Sequence, residues 1–430
     1  MGEISFIHLS DIHFRRTSGN SYDIDRDLRN AVLMDIKYNL KKDVGNVNGI
    51  LLGGDIAFAG QEDEYRIANS FLKEIAVSMG KGECNIYCVP GNHDVDQGIT
   101  RQSRSVYVAQ CDIDSAQNLD DADWILEKYM LDSSNPNLLY KPVEQYNKFA
   151  ELYACNIDSK KPIWEKYFEL DNNMKLKLVG LNSCIISNHD DHKEKGIDRE
   201  MIIGQSQIPK YEENIVCVSL CHHPVEFWKF VDVIQDRIDK RIDVQLYGHK
   251  HEQAVSKTQE RLVINAGATQ PTRGKDWRPR YNWVSFECFL KDDDRHIRVK
   301  TFPRILSDDR DRFIPDKDNC DIGKNYFIYE LNIDKKRKKN LYDYEQCSFP
   351  PKESRIKEIN LEEMTKEIGY DFLDLSDVQR LEIMSELQLI RDEYKGKSAS
   401  QILDFVLADV KKKGCLEKFY KLIKKKTDLI

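Results

Sequence analysis

Five short polar segments, each following an apolar run, constrain this chain more than any other feature: Ser10-Asp11-Ile12-His13, Gly54-Asp55, Gly91-Asn92-His93-Asp94, Cys221-His222-His223-Pro224 and Gly248-His249-Lys250-His251. The preceding runs, Ile4 to Leu9, Gly49 to Gly53, Asn85 to Val89, Ile215 to Leu220 and Val244 to Tyr247, read as buried strands. Between the first three lie periodic segments, Leu28 to Leu40 and Glu64 to Val77, that read as helices. This alternation predicts a layered α/β domain whose strand-end loops carry the chemistry. Six of the ten histidines fall in these loops. One such loop is a weak signal, but five in order, each closing a strand, form a strong one.

Two carboxylates, an amide oxygen and several imidazoles suit first-row divalent ions better than Ca²⁺, which prefers all-oxygen shells. Seven donors exceed one tetrahedral site. Two ions sharing one bridging carboxylate would use them all, and such a pair, about 3.5 to 4 Å apart, can clamp a phosphoryl group and ionise a water. Against the charge of two divalent ions, Asp11 and Asp55 leave the site about two positive charges, so an anionic substrate is expected. Gly54 and Gly91 allow close backbone approach, and an extended Gly-His-Lys-His would present both imidazoles on one side.

The series D-x-H, G-D, G-N-H-[D/E], H and G-H-x-H, intact here, resembles the calcineurin-like metallophosphoesterase superfamily over about residues 1 to 303. The resemblance implies a four-layer α/β/β/α sandwich. It also implies one metal on Asp11, His13 and His251, a second on Asn92, His222 and His249, a bridging Asp55, and His93 as general acid. Asp94 is expected to orient His93. Phe58 stands where purple acid phosphatases place an iron-binding Tyr and where serine/threonine protein phosphatases place an Asp, which disfavours both branches. What remains resembles cyclic-nucleotide phosphodiesterases and repair nucleases, whose openings look like His8-Leu-Ser-Asp11-Ile-His13.

Other histidines read as structural: His8 as a packed, hydrogen-bonded core residue, His223 as shaping the turn before Pro224, His189 and His192 as part of a solvated loop. Between Pro271 and Trp283, Arg273, Lys275, Arg278 and Arg280 interleave with Trp277, Tyr281 and Trp283. This composition suits phosphates and a stacked base, so Arg273, Lys275, Trp277 and Arg278 are candidate substrate contacts; the competing reading is a solvated loop with structural aromatics.

Residues 97 to 175 read as a helical cap inserted in the catalytic domain, 304 to 355 as a connecting loop and a hairpin around the solvated basic turn Asp334 to Asn340, and 356 to 430 as a helical bundle. Ser376 with Gln379 and Ser398 with Gln401 fit capping boxes. Apolar stripes run along Val378, Leu381, Met384, Leu387 and Ile390, along Ile402, Phe405, Val406 and Val410, and along Leu416, Phe419, Tyr420 and Ile423. The bundle resembles, in composition, death-fold-like adaptor modules, and its last 35 residues carry nine Lys against four acidic residues. A basic nucleic-acid-binding bundle is the competing reading.

The whole chain of 430 residues carries a net charge of −8, which fits a long duplex poorly. Eleven cysteines, an odd number, and an N-terminus without a secretory pattern point to the cytoplasm, with buried thiols rather than disulfides. No apolar run reaches membrane-spanning length. The expected activity is hydrolysis of a phosphodiester, foremost of a nucleotide, by attack of a metal-bound hydroxide, with Mn²⁺ first among the ions and Fe, Zn or Mg behind it. The alternative is a DNA or RNA nuclease effector recruited or regulated by a protein partner through the C-terminal module.

Overall fold

The computed structural model describes residues 2–15, 25–191, 200–258, 261–271 and 278–338, and further on 368, 371–373, 375–391, 394, 399–413 and 416–427. The chain divides into two units, Met1–Asn340 and Leu341–Ile430.

The first unit opens with strand β1 (Ile4–Leu9), helix α1 (Arg26–Asp35), strand β2 (Gly49–Leu52), helix α2 (Glu62–Ser78) and strand β3 (Ile86–Cys88). The three strands pair in parallel, the arrangement that crossover connections through helices serve. Every residue of all three is buried, so they read as continuous apolar runs rather than alternating ones. Four helices follow: α3 (Gln97–Gln102), α4 (Arg104–Asp114), α5 (Leu119–Met130) and α6 (Glu144–Glu151). The insertion is helical only to this point. Strand β4 (Trp164–Glu169) is already the edge of a second sheet, antiparallel to β5 (Lys175–Gly180).

The second sheet continues in parallel through β6 (Ile215–Cys221), β7 (Val244–Tyr247) after helix α7 (Val231–Arg241), and β9 (Leu262–Ala266), with β8 (Gln253–Lys257) antiparallel at the far edge. The long strands β10 (Arg280–Lys291) and β11 (Asp294–Leu306) form a hairpin that returns to the first sheet, where β10 lies antiparallel to β1. Two further strands, β12 (Phe313–Pro315) and β13 (Phe327–Asn332), both pair with β11. The first sheet therefore extends past Pro303, into residues expected to be a connecting loop.

The inner faces of the two sheets meet through aromatic rings: Phe6 packs edge-on against Phe168 at 5.4 Å, and Tyr87 lies 6.1 Å from Trp164 with the rings tilted by 30°. Helix α1 is tied to the outer side of the first sheet by a buried ion pair. The Arg304 guanidinium grips both oxygens of Asp35, Tyr281 donates to the same carboxylate at 2.6 Å, and the guanidinium lies 4.5 Å from the centre of the Trp283 ring.

This network bears on the end of the segment Pro271 to Trp283, where the aromatics are structural. Tyr281 and Trp283 are fully buried in β10, and Arg280 faces Asp316 at 3.5 Å. Arg278 is ion-paired to Asp308 at 3.2 Å on the surface, while Arg273, Lys275 and Trp277 lie outside the described residues. The expected basic hairpin is likewise replaced. Residues 333–338 are helical, and Lys336 and Arg337 close on the buried Asp243 at 2.8 and 2.9 Å. A buried carboxylate requires such partners, so these cations are not a solvated turn; residues 341–344 lie outside the described residues.

In the second unit, α8 (Asp377–Glu386), α9 (Ala399–Lys412) and α10 (Leu416–Thr427) surround a core that includes Phe372, Ile383, Met384, Val406, Val410, Phe419 and Ile423. The capping box at Ser376 and Gln379 is formed, each residue accepting a hydrogen bond from the other's backbone N–H. Ser398 lies outside the described residues. The first predicted stripe is only partly right. Leu381 and Ile390 are half exposed while Ile383 and Leu389 are buried; for Ile390 and Leu389 the reason is that the helix ends at Glu386 and Gln388 turns the chain at φ 52°. Phe405 is also largely exposed. Among the described residues no helix is long and apolar enough to cross a membrane.

Candidate metal centre

The five loops meet at one end of the two sheets, and their backbone is bent to do so. Asp11, His13, Asp55, His249 and His251 all have positive φ, between 50° and 66°, a region costly for residues with a Cβ and concentrated at functional sites. Tertiary hydrogen bonds hold them there. The first loop is zipped to the second by Asp11 N–H to Gly54 O (3.1 Å), and by Ile12 and His13 N–H to Asp55 O (3.0 and 2.9 Å). The Gly-His-Lys-His segment is therefore not extended: Lys250 N–H bonds back to Gly248 O at 2.8 Å, a three-residue turn centred on His249.

The expected metal ligands converge. Donor atoms of Asp11, His13 and His251 lie within 4.8 Å of one another, and so do those of Asp11, Asp55 and His222. His222 Nδ1 donates to the Gly53 carbonyl at 2.8 Å, which turns Nε2 toward two acceptors, Asn92 Oδ1 at 3.2 Å and Asp55 Oδ2 at 3.4 Å. On the other side, His251 Nε2 is 3.3 Å from Asp11 Oδ1, and His13 Nε2 is 3.8 Å from Asp55 Oδ2. Imidazole nitrogens and carboxylate oxygens aimed at the same points can be satisfied by protons on the rings or, with the rings neutral, by a cation between them. The donor set therefore fits the divalent ions that the motif series implies.

The electrostatics agree. Burial would raise Asp11, but the hydrogen bond to His251 and the charge of His222 bring it down to about 2. Asp55 is likewise held well below the usual carboxylate range, burial being outweighed by His222. Conversely His222 is pushed up to about 9: burial opposes this, and Asp55 drives it. His13 is lowered to about 4, chiefly by burial.

Close packing makes the glycines of these loops specific. A Cβ on Gly91 would stand 2.1 Å from Asp55 Oδ1, and one on Gly54 2.5 Å from His222 Nδ1. Gly91→Ala is expected to displace the Asp55 carboxylate and lower hydrolysis by about 10²-fold, the scale of a misplacement near 1 Å; initial rates and bound-metal analysis on the purified variant would check it.

Other assignments shift. Asp94 does not orient His93. Its oxygens accept from the backbone N–H of Ile56, Ala57 and Gly91 and from the Tyr65 hydroxyl, bracing the second loop against the third. His93 Nδ1 instead contacts the Phe58 carbonyl oxygen at 2.9 Å. His8 is buried, yet neither ring nitrogen has a hydrogen-bond partner among the described residues, and burial lowers it to about 3. His223 sits beside the centre: a ring nitrogen clusters with those of His222 and His249, and Nδ1 contacts Ser183 Oγ at 2.8 Å. His189 is fixed rather than solvated, with Nδ1 3.0 Å from Thr100 Oγ1, while His192 lies outside the described residues. Sequence reasoning passed over Ser10, whose hydroxyl donates to Asp11 Oδ2 at 2.6 Å; its place directly before Asp11 was the available signal. Above the centre opens a cleft of about 430 Å³ lined by Asp55, Asn92, His93, Phe227, His249 and His251 among others.

Comparison with known proteins agrees with this geometry. An uncharacterized metallophosphoesterase-like protein of Bacillus subtilis, YydB, is 26% identical over 271 residues, 60% of this chain, and the chain spans about half (50%) of that relative's length. Among solved structures, GAP50 of Plasmodium (12% identity, 81% of this chain, 96% of that one, TM-score 0.36) and vacuolar protein sorting 29 of Cryptosporidium parvum (12%, 77%, 100%, 0.31) show only slight likeness. Residues 364–425 match the GTPase-associated adaptor domain. Residues 4–253, more than half of the chain, match the calcineurin-like phosphoesterase family model and contain every loop of the metal centre, so the chain belongs to the calcineurin-like phosphoesterase family.

Proposed function

We propose that this chain hydrolyses a phosphodiester, foremost of a nucleotide, and that two divalent ions, Mn²⁺ first among them, are held by Asp11, His13 and His251 on one side and by Asn92, His222 and His249 on the other, with Asp55 between. The observation that carries the reading is the convergence of these side chains on shared points, with two buried carboxylates kept ionised. When bound, such ions polarise a phosphoryl oxygen and make water more acidic.

The protein's own contribution is positional. A carbonyl oxygen only accepts, so the Phe58 carbonyl fixes the Nδ1 of His93 as N–H, and Nε2 is the nitrogen that meets the substrate in this reading. In the imidazolium form Nε2 carries the proton that the leaving group needs. Hydrolysis then balances: the water oxygen bonds to phosphorus, the P–O bond to the leaving group breaks with its electron pair on that oxygen, Nε2 protonates it, one proton of the water passes to solvent, and solvent returns a proton to His93. Asp55 Oδ1 accepts the backbone N–H of His93 at 2.8 Å, which couples the position of the acid to the metal centre.

A protein partner recruited through residues 364–425 belongs to the same reading, since the matching family is an adaptor domain. Against the nuclease alternative, Lys336 and Arg337 are turned onto the buried Asp243 instead of lying along an exposed track. Incubating the purified protein and Mn²⁺ with a mixture of 3′,5′-cyclic nucleotides and end-labelled single- and double-stranded DNA is expected to consume the nucleotides and leave the DNA intact. Shortened DNA with untouched nucleotides would reverse the substrate assignment.

A further inference from the structure

Beside the metal cleft lies a second one, of about 630 Å³, and His93 lines both. Its walls are Phe58 to Gln61 on one side and α3 on the other, the latter contributing Gln97, Arg101 and Gln102. We propose that this cleft receives the leaving group of the substrate and that it is built for a nucleoside, with Phe58 and Arg101 as the residues that select it. The inference rests on the phosphodiesterase reading above.

The position follows from His93. The group that protonates the leaving oxygen must touch it, so the rest of the leaving group lies on whichever side of His93 is not occupied by the metal ligands, and the second cleft is that side. The chemistry follows from the lining. Phe58 is 39% exposed although its neighbours Ile56 and Ala57 are buried. One face of its ring is covered by the Arg15 guanidinium, 4.0 Å from the centroid, and the His93 ring stands 5.5 Å away, tilted by 33°. These contacts fix the ring's orientation while it borders the cleft, giving a rigid apolar wall against which a planar base can pack.

Opposite stand hydrogen-bonding groups rather than acids. Arg101 reaches Gln97 Oε1 at 3.2 Å and Gln102 adds an amide, while Gln61 adds another from the Phe58 side. The one carboxylate in the lining, Asp96, accepts from the N–H groups of Gly98 (2.8 Å) and Ile99 (3.4 Å) as the N-cap of α3. A cationic leaving group such as choline would find no free anion here, and a simple alcohol would leave ring and amides unused. A polar, planar and uncharged or anionic group uses them all.

The test compares two diesters with the same retained half, thymidylyl-(3′→5′)-thymidine and the ethyl ester of thymidine 3′-phosphate, on the wild type, Phe58→Ala and Arg101→Ala. Replacing the Phe58 side chain leaves its carbonyl, and so the anchor of His93, in place. The wild type is expected to prefer the dinucleoside, and each variant to reduce the ratio of kcat/KM values by about ten-fold, the scale of one lost base–aromatic or charged contact. Equal losses on both esters, or an unchanged ratio, would overturn the proposal. If the wild type cleaves neither ester, calorimetric titration with thymidine 5′-monophosphate judges the cleft by itself: binding weakened about ten-fold by Phe58→Ala supports it, while undetectable or unaltered binding overturns it; the phosphodiesterase reading itself fails only if 3′,5′-cyclic nucleotides are left intact as well.

Discussion

Asp55→Asn is expected to lower phosphodiester hydrolysis by about 10³-fold or more and to reduce bound metal from the proposed two ions per chain to one or fewer. The substitution keeps the shape of the side chain and removes one negative charge, so its effect is electrostatic. Asp55 is fully buried at the centre of the site, with Oδ2 3.4 Å from His222 Nε2 and 3.8 Å from His13 Nε2, one from each proposed ligand group. Asp11 also comes within 4.8 Å of a His222 donor atom, but its short contact is with His251, Oδ1 to Nε2 at 3.3 Å. If Asp55 holds two divalent ions together as proposed, loss of its charge would remove several kcal/mol of the attraction they need and of the transition-state stabilisation they would supply, and each 1.36 kcal/mol is ten-fold in rate. Elemental analysis beside initial rates reads both effects. A variant that kept two ions and wild-type turnover would show that the centre is not organised around Asp55.

The five loops were legible because the features that make them are local. An apolar run that stops abruptly in Asp, His or Asn requires a buried strand and an end exposed to ligand, and the order of the loops then brings them to one end of two sheets. The backbone geometry was not legible. Whether Gly-His-Lys-His extends or turns depends on the hydrogen bonds of a loop more than two hundred residues away, Asp11 Oδ2 accepting the His249 N–H at 3.1 Å. Long-range charge pairing misled in the same way. Lys336 and Arg337 looked like a solvated basic turn, because their partner Asp243 lies 93 residues earlier and its burial leaves no mark in composition. Tyr281 and Trp283 looked like a stacking platform, because an aromatic on a buried strand and one on a binding loop have the same sequence. Asp94 was cast as the orienter of His93 on adjacency alone, whereas in a tight turn adjacent side chains point apart, and the carbonyl of Phe58, 35 positions away, takes the role.

His93→Ala is the variant whose effect must depend on the substrate. With a poor alkoxide leaving group, as in a nucleoside diester, the loss is expected to be about 10²- to 10⁴-fold, the usual scale for general acid catalysis. With p-nitrophenolate, which departs without a proton, the same variant should lose much less. His93 has the geometry for this difference. Its Nδ1 is held by the Phe58 carbonyl, its ring stands 4.6 Å from that of His13, and it borders both the metal cleft and the adjoining one. The ring is also close enough to Asp55 and His13 to serve as a metal ligand, since donor atoms of the three lie within 4.8 Å of one another. The two roles separate experimentally. An acid lost from His93 leaves the metal content at its wild-type value and splits the substrates by leaving group; a lost ligand lowers the metal content and slows both substrates alike. Equal losses on the two esters would therefore remove His93 from proton transfer and add it to the metal shell.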